Sequence, residues 1–412
     1  MRIWQGIFLG VVLVPLILGG PGYADAATVT ARSSTVLEWY DDPEGDKTLP
    51  LYQYLQLSAN NLWDSGYSFK AYGRLAHDTK NEAEIESRLY YAYLEKKDFL
   101  NGLDFRLGRQ FISTTAGASM MDGLSLDYAF NKEVKSRLFV GGDVRFYDGY
   151  NLNDVISGLE LSASLLDDRL DLGFSYLQKW DAGQPAQELL GFDFSYDWQG
   201  LYWLYNELQW DIISERLSYA LVGGKFRLAE PLTLRAEYLY SLPVFSSTSI
   251  YSVFAVEEYE EVMAELVWKI SRQIQAFSRY SLEIYEEFDN AHVIQVGVEK
   301  LRTGSFSGYL SGIYRNDEDG QDLYGVKAYA DYQLMAKLRT GVGANVDVLE
   351  RDIAYFNSEG NEQNETTSTR IWLDARYAFT KQVSLRGKYE YIESDLWDYY
   401  HRGTIRLNII FR

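Results

Sequence analysis

Six basic residues near the carboxyl end of the chain lie in three successive segments. Within each segment they are separated by an even number of positions. They are Arg370, Arg376, Arg386, Lys388, Arg402 and Arg406, and Asp374 shares their spacing. An extended strand places residues with this spacing on one face. A face rich in guanidinium and ammonium groups would select anions or dock an acidic partner. The alternative is a hydrated wall in which the charges pair with neighbouring acids.

A second group of charges flanks the uncharged stretch within "RLGRQFISTTAGASMMDGLSLDY", residues 106–128. We expect a strand to end at Arg109-Gln110, a loop of small and apolar residues to follow, and a strand to resume at Gly123. The lack of charge favours an inward-folded loop. This stretch resembles porins, in which an R-x-G-R-Q strand precedes a loop and a D-G restart. The resemblance implies that Arg106, Arg109 and Asp122 approach a constriction; a packed loop with no selectivity is the alternative.

Residues suited to catalysis or metal binding are scattered. The three histidines, His77, His292 and His401, are far apart, and the chain has no cysteine. The acidic stretches "NDEDG" (316–320) and "EEYEE" (257–261) lack the ligand spacing of a calcium loop. No pattern brings a nucleophile, a base and an orienting group together. We therefore expect no enzyme activity, no cofactor and no specific metal site.

The elements that position these charges are strands. In "TRIWLDARYAFT", residues 369–380, apolar Ile371, Leu373 and Ala375 alternate with polar Arg370 and Asp374. This period of two is typical of a β-strand with one apolar and one polar face. Similar segments recur through the chain, and aromatic residues make up 16% of it, with many tyrosines and tryptophans near segment ends. The pattern predicts an outer-membrane β-barrel.

The connections between these segments alternate between two kinds. About ten are tight turns and about eleven are longer or more polar, as expected when tight turns lie at the periplasmic rim and loops outside. We therefore predict an all-β fold, a transmembrane antiparallel up-and-down β-barrel of about 22 strands, within a range of about 18–24. Both termini would be periplasmic. Residues 27–412 form this single domain.

The beginning of the chain has the features of an export signal. Arg2 precedes an apolar run from about Ile7 to Leu18, and Ala24-Asp25-Ala26 fits a cleavage pattern. Residues 1–26 are therefore predicted to be a signal peptide, and the protein to reside in the outer membrane of a Gram-negative cell. The net charge of −20 argues against nucleic acid as a partner.

The overall layout leaves two functions open. An export signal, a compact barrel without a plug domain and no haem-attachment motif together resemble the barrel component of porin–cytochrome conduits. That resemblance implies a sleeve around multihaem c-type cytochromes that carry electrons across the membrane. The other hypothesis is a passive porin-like pore. The large strand number favours a monomeric barrel over a trimer.

The last segment, "HRGTIRLNIIFR" (401–412), predicts the closing strand of the barrel. One face is expected to contact lipid and consists of Gly403, Ile405, Leu407, Ile409 and Phe411. The segment also resembles the signal that the barrel-assembly machinery recognises, in which an aromatic residue ends an alternating strand. Arg412 departs from this pattern because it follows the aromatic residue.

Overall fold

The computed structural model describes residues 28–41, 47–63, 65–80, 85–144, 153–244, 258–286, 289–317, 322–350, 365–394 and 397–411. The predicted signal peptide, residues 1–26, and Arg412 lie outside this part of the chain. The strands of the described residues are β1 (Thr28–Asp41), β2 (Lys47–Thr48), β3 (Pro50–Leu62), β4 (Tyr67–Asp78), β5 (Arg88–Leu100), β6 (Leu103–Thr114), β7 (Gly117–Ala129), β8 (Val134–Asp143), β9 (Val155–Leu165), β10 (Leu170–Asp181), β11 (Gln184–Trp198), β12 (Tyr202–Asp211), β13 (Arg216–Ala229), β14 (Leu232–Ser241), β15 (Tyr259–Lys269), β16 (Ile274–Tyr285), β17 (Ala291–Lys300), β18 (Phe306–Asp317), β19 (Leu323–Met335), β20 (Leu338–Glu350), β21 (Glu365–Ala378), β22 (Val383–Ser394) and β23 (Trp397–Phe411).

The sheet closes on itself through its first and last strands. β1 pairs with β23 in a register that runs from Ala31 opposite Phe411 to Tyr40 opposite Arg402. The two-residue strand β2 pairs with β1 just before β3 does, so it extends β3 and adds no separate position to the wall. The other 22 strands each pair antiparallel with two neighbours. The predicted fold class and strand number are confirmed.

Closure gives every wall strand a hydrogen-bonded neighbour on each side, as a hydrocarbon environment requires. The outer surface matches that environment, because large apolar side chains such as Leu310, Val326, Val342 and Leu373 are exposed. Exposed Trp63, Trp198 and Trp268 lie at one rim of the barrel. No helix among the described residues is long and apolar enough to span a membrane.

Two kinds of connection lie at opposite rims. Ten short turns, from residues 63–66 to residues 379–382, alternate with eleven connections on the other side. We call these the short-turn rim and the opposite rim; the ends of β1 and β23 at Thr28 and Phe411 lie at the short-turn rim. The number of connections at each rim agrees with the ten or so tight turns and eleven other connections expected from the sequence.

Two predicted loops at the opposite rim are instead tight hairpins. β6 continues to Thr114 and β7 starts at Gly117, so the loop expected between Gln110 and Gly123 is mostly paired strand. The polar sequence "DAGQPAQ" (181–187) also predicts a loop, but this connection is a short hairpin, since β10 ends at Asp181 and β11 begins at Gln184. Small side chains suggested a loop, whereas continued backbone pairing satisfies the polar groups of these residues without water.

Candidate functional site in the barrel lumen

The β6–β7 hairpin leaves the barrel wall halfway along its length. Pairing of β6 with β5 stops at Arg109, and pairing of β7 with β8 stops at Met121. Beyond these points β6 and β7 continue to pair with each other, up to Thr114 opposite Gly117. We call residues 110–121 the inner hairpin. The predicted inward folding of this segment is therefore present, but the inward element is a hairpin and not a loop.

Three glycines lie side by side where the inner hairpin bends away from the wall. Gly108 is directly opposite Gly123, which is directly opposite Gly141. Gly108 has φ = +126°, a conformation that favours glycine. A Cβ atom on Gly123 would lie 2.1 Å from the Val140 carbonyl oxygen. The backbones of β7 and β8 thus approach each other more closely here than a side chain on Gly123 or Gly141 would allow.

The apolar side chains of the inner hairpin pack against the inner surface of the barrel. Ile112, Ala116 and Met121 are each no more than 1% exposed. The strands β8 to β11 complete this buried cluster with Phe139, Ile156, Leu177 and Leu189. This apolar cluster holds the hairpin against one wall of the lumen.

Hydrogen bonds fix the tip of the inner hairpin to three strands. The Ala116 amide donates to the Ser175 hydroxyl at 2.8 Å, and the Gln209 amide nitrogen donates to the Ala116 carbonyl at 2.8 Å. The Thr115 hydroxyl donates to the Asp193 carboxylate. The tip residue Ala116 is fully buried. Both polar groups of its backbone therefore have partners in strands β10 and β12.

A further set of polar contacts joins the returning strand of the hairpin to the wall. The Ser119 hydroxyl donates to the Asp143 carboxylate, and the Lys179 ammonium donates to the Ser119 hydroxyl at 2.8 Å. Lys179 and Asp143 also form an ion pair at 3.5 Å. Together with the tip contacts, these bonds attach the hairpin to β8, β10, β11 and β12.

The three charges expected at a constriction are divided between two places. Arg109 and Asp122 form a two-pronged ion pair, with nitrogen–oxygen distances of 2.8 and 2.7 Å, at the base of the inner hairpin. Arg106 lies apart from them in the wall, where it pairs with Glu95 at 3.3 Å and Asp127 at 3.7 Å. The structure therefore joins Arg109 to Asp122 but does not bring Arg106 to them.

The six basic residues predicted to share a face do line one recess of the lumen, which has a volume of about 630 Å³. Strands β1 and β19 to β23 and the turn before β18 surround it. Its charged lining comprises eight basic residues and four acidic ones: Arg302, Arg339, Arg370, Arg376, Arg386, Lys388, Arg402 and Arg406, with Glu38, Asp331, Asp374 and Glu390. This recess is thus positive in a chain whose net charge is −20.

Four of these arginines stand in one row across neighbouring strands. Arg339 is directly opposite Arg376, which is directly opposite Arg386, which is directly opposite Arg406. We call these four residues the arginine row. Arg339 on β20 lies one residue from the short-turn rim, and Arg406 on β23 lies further from that rim.

The basic residues of the recess differ in whether an acidic side chain compensates their charge. Arg370 and Lys388 both pair with Glu390, and Arg402 approaches Glu38 at 3.6 Å. Arg339 pairs with Asp331. Asp374, by contrast, accepts a hydrogen bond from the Tyr329 hydroxyl at 3.0 Å and forms no ion pair with a described residue.

Arg376, Arg386 and Arg406 make no ion pair or hydrogen bond with any described residue. Their side chains are exposed to the lumen. Arg370, Lys388 and Arg402 are therefore paired with acidic residues within the wall, whereas these three arginines are not.

A cluster of tyrosines lies next to this recess and was not anticipated from the sequence. Its members, on β3, β4 and β5, are Tyr52, Tyr54, Tyr72, Tyr90, Tyr91 and Tyr93. Tyr72 stacks on Tyr90 with ring centroids 4.9 Å apart. Tyrosines were expected at the rims because they suit the lipid–water boundary. The sequence offers a signal only for Tyr52 and Tyr54, which are two residues apart in "LYQYL" (51–55) and therefore lie on one face of their strand.

Comparison with known proteins gives a likeness of fold. No protein-family model and no curated protein matches the chain. Among solved structures, the translocation pore of the P pilus usher PapC matches with a TM-score of 0.54 at 10% identity, over 93% of this chain and 100% of that chain. Two Pseudomonas aeruginosa proteins also match at 10% identity: OpdQ, with a TM-score of 0.47 over 94% of this chain and 99% of that one, and OprD, with 0.44 over 95% and 92%. At this identity the likeness to the usher pore concerns the barrel fold alone.

Proposed function

We propose that this protein is an outer-membrane pore through which small hydrophilic solutes cross passively. The inner hairpin is the observation that carries the proposal. A barrel of about 22 strands encloses a wide lumen when nothing fills it. The hairpin reduces that lumen from within, because its residues are bound to the inner surface of β8 to β12. A permanently narrowed, charged lumen is suited to passing solutes according to size and charge.

The exterior of the barrel supports a location in the outer membrane. Its exposed apolar belt and its rim tryptophans match a lipid bilayer. In this proposal the short-turn rim is periplasmic, residues 1–26 are removed on export, and the barrel-assembly machinery inserts a monomeric barrel. No group of three or more metal-binding side chains occurs among the described residues, and the proposal assigns no enzyme activity.

A sleeve around a multihaem cytochrome is the other function expected from the sequence. Such a sleeve needs an open lumen for its resident protein. The inner hairpin occupies part of that space, with Ala116 and Met121 fully buried against the wall. The hairpin would have to detach from its apolar cluster before a protein could fill the barrel, which weighs in favour of the pore.

The test is ion conductance of the purified barrel in planar bilayers, with neutral polymers of graded size added to find the largest that enters. We expect steady conductance and a sharp size limit. A variant in which a two-residue Asn-Gly turn replaces residues 110–121 should conduct more and admit larger polymers. A barrel that conducts no ions, or that co-purifies with a haem-staining protein in place of conducting, would contradict the pore.

A further inference from the structure

We propose that Arg376, Arg386 and Arg406 form a binding site for multivalent anions, solutes that carry two or more closely spaced negative groups. The site lies in the basic recess, between the short-turn rim and the middle of the lumen. The inference rests on the proposed pore only in that solutes must reach the lumen; binding itself does not require conduction.

The register of the strands is the first reason for this assignment. Arg376 and Arg386 are directly opposite each other, as are Arg386 and Arg406. Like charges at directly opposite positions destabilise a sheet. The positive charges of Arg32 and Arg302 also act on Arg386 from neighbouring elements. A bound anion would relieve this repulsion, and an anion with several charges would relieve more of it.

The second reason is that three neighbouring arginines of one row lack counter-charges, whereas several arginines in other parts of the wall have them. Arg137 pairs with both Asp127 and Glu160, Arg279 pairs with Glu265, and Arg315 pairs with Glu283. The arginine row follows that rule only at Arg339, which is bound to Asp331. Arg376, Arg386 and Arg406 thus offer guanidinium groups whose hydrogen-bond donors face solvent.

Other charged side chains surround the three arginines. Asp374 lies on the strand of Arg376, and Lys388 and Glu390 lie on the strand of Arg386. Glu390 is bound by Arg370 and Lys388, so its charge is compensated within the wall. The four acids of the recess therefore do not reach the three arginines as ion-pair partners.

The spacing of the row indicates the class of ligand. Neighbouring strands are about 5 Å apart, so three directly opposite arginines cover about 10 Å. A single monovalent anion can contact one or two of them, whereas a chain of two or three phosphate or carboxylate groups can contact all three. Guanidinium groups bind both phosphate and carboxylate oxygens in a two-pronged manner. The shared chemistry is thus that of a multivalent oxyanion.

The test is titration calorimetry of the full-length mature barrel in a zwitterionic detergent and low-salt buffer, which measures binding independently of conductance. Phosphate, pyrophosphate and tripolyphosphate form one series, and acetate, succinate and citrate form the other. We expect affinity to rise about fivefold with each added anionic group, since a close charge pair in water contributes that order of stabilisation. The two series identify whether phosphate or carboxylate solutes are preferred.

Replacing all three arginines by glutamine should abolish the rise in affinity along each series. The matched control is Arg227→Gln, which removes one exposed, unpaired positive charge from a recess on strands β11 to β16. It should leave the rise unchanged, while Arg386→Gln alone should lower tripolyphosphate affinity about fivefold. Gel mobility before and after heating confirms that each variant is folded. Equal affinity for phosphate and tripolyphosphate in the native protein, or an equal loss in Arg227→Gln, would overturn the proposal.

Discussion

Gly108 on β6 lies directly opposite Gly123 on β7, at the point where both strands leave the barrel wall. Neither residue has a side chain, so the backbone of β5 can come close to Gly108. A Cβ atom on Gly108 would lie only 2.4 Å from the Ala92 carbonyl oxygen. Bends at glycines are an established means of redirecting strands in curved sheets. We therefore expect the position of the inner hairpin to depend on this pair.

A side chain at the bend is predicted to disturb both stability and conductance. Gly123→Ala places a Cβ atom 2.1 Å from the Val140 carbonyl oxygen and 2.5 Å from the Gly141 Cα atom, so the backbone must shift. We expect a loss of about 1–3 kcal/mol in the free energy of unfolding, as for other overpacked sites. Urea unfolding in lipid vesicles measures it.

Gly387→Ala is the control for this substitution. Gly387 lies in a wall strand, β22, and a Cβ atom there would meet nothing within 4 Å. Its stability and conductance should therefore match those of the native protein. Equal stabilities for the Gly123 and Gly387 variants would show that the close approach at the bend is not required.

Loss of a single anchor at the hairpin tip is predicted to make the pore current noisy. Ser175→Ala removes the acceptor of the Ala116 amide, and both residues are almost fully buried. An unsatisfied buried amide costs about 1–3 kcal/mol, which favours detachment of the tip. Single-channel recording should show frequent transitions to a larger conductance. Ser195→Ala, near the short-turn end of β11 and away from the inner hairpin, should leave the current steady.

The ion pair at the base of the inner hairpin is predicted to couple its two residues strongly. Arg109 binds Asp122 through two nitrogen–oxygen contacts, and both side chains are about three-quarters buried. A double-mutant cycle with Arg109→Gln and Asp122→Asn should give a coupling of about 1–2 kcal/mol in the free energy of unfolding. The longer, more exposed pair of Arg402 and Glu38, at 3.6 Å, should give about 0–1 kcal/mol. A reversed order of these two couplings would count against the structural role of Arg109.

The sequence predicts the strands and their faces because alternation is a local property. Arg386 and Glu390 are in the lumen, as their spacing requires, and Ile405 is exposed on the outer surface. The register between strands is not local. Whether Arg386 lies opposite Arg406 depends on the connection between β22 and β23. The arginine row therefore cannot be predicted from the alternation of residues alone.

The inner hairpin was predicted only in part for a related reason. The absence of charge between Arg109 and Asp122 indicates burial, but it does not distinguish a loop from a hairpin. The small residues of this stretch weaken the period of two, and its pairing continues because Ile112 and Met121 find apolar partners on β8 to β11. Those partners lie on strands that are distant in the sequence, so only the fold identifies them.

The closing strand carries a prediction about assembly. Phe411 lies opposite Ala31 at the end of the β1–β23 pairing and is 37% exposed, and Ile405 on the same face is 42% exposed. If Phe411 is the aromatic residue that the assembly machinery recognises, deletion of Phe411–Arg412 should greatly reduce the folded, outer-membrane fraction on unheated gels. The few barrels that do insert should conduct normally, because the lumen-facing residues of β23 remain. Deletion of Arg412 alone places the aromatic residue at the carboxyl end and should assemble at least as well as the native chain. Normal insertion of the variant that lacks both Phe411 and Arg412 would show that Phe411 is not the recognised residue. The remaining pairs of β1 and β23 would then be sufficient for assembly.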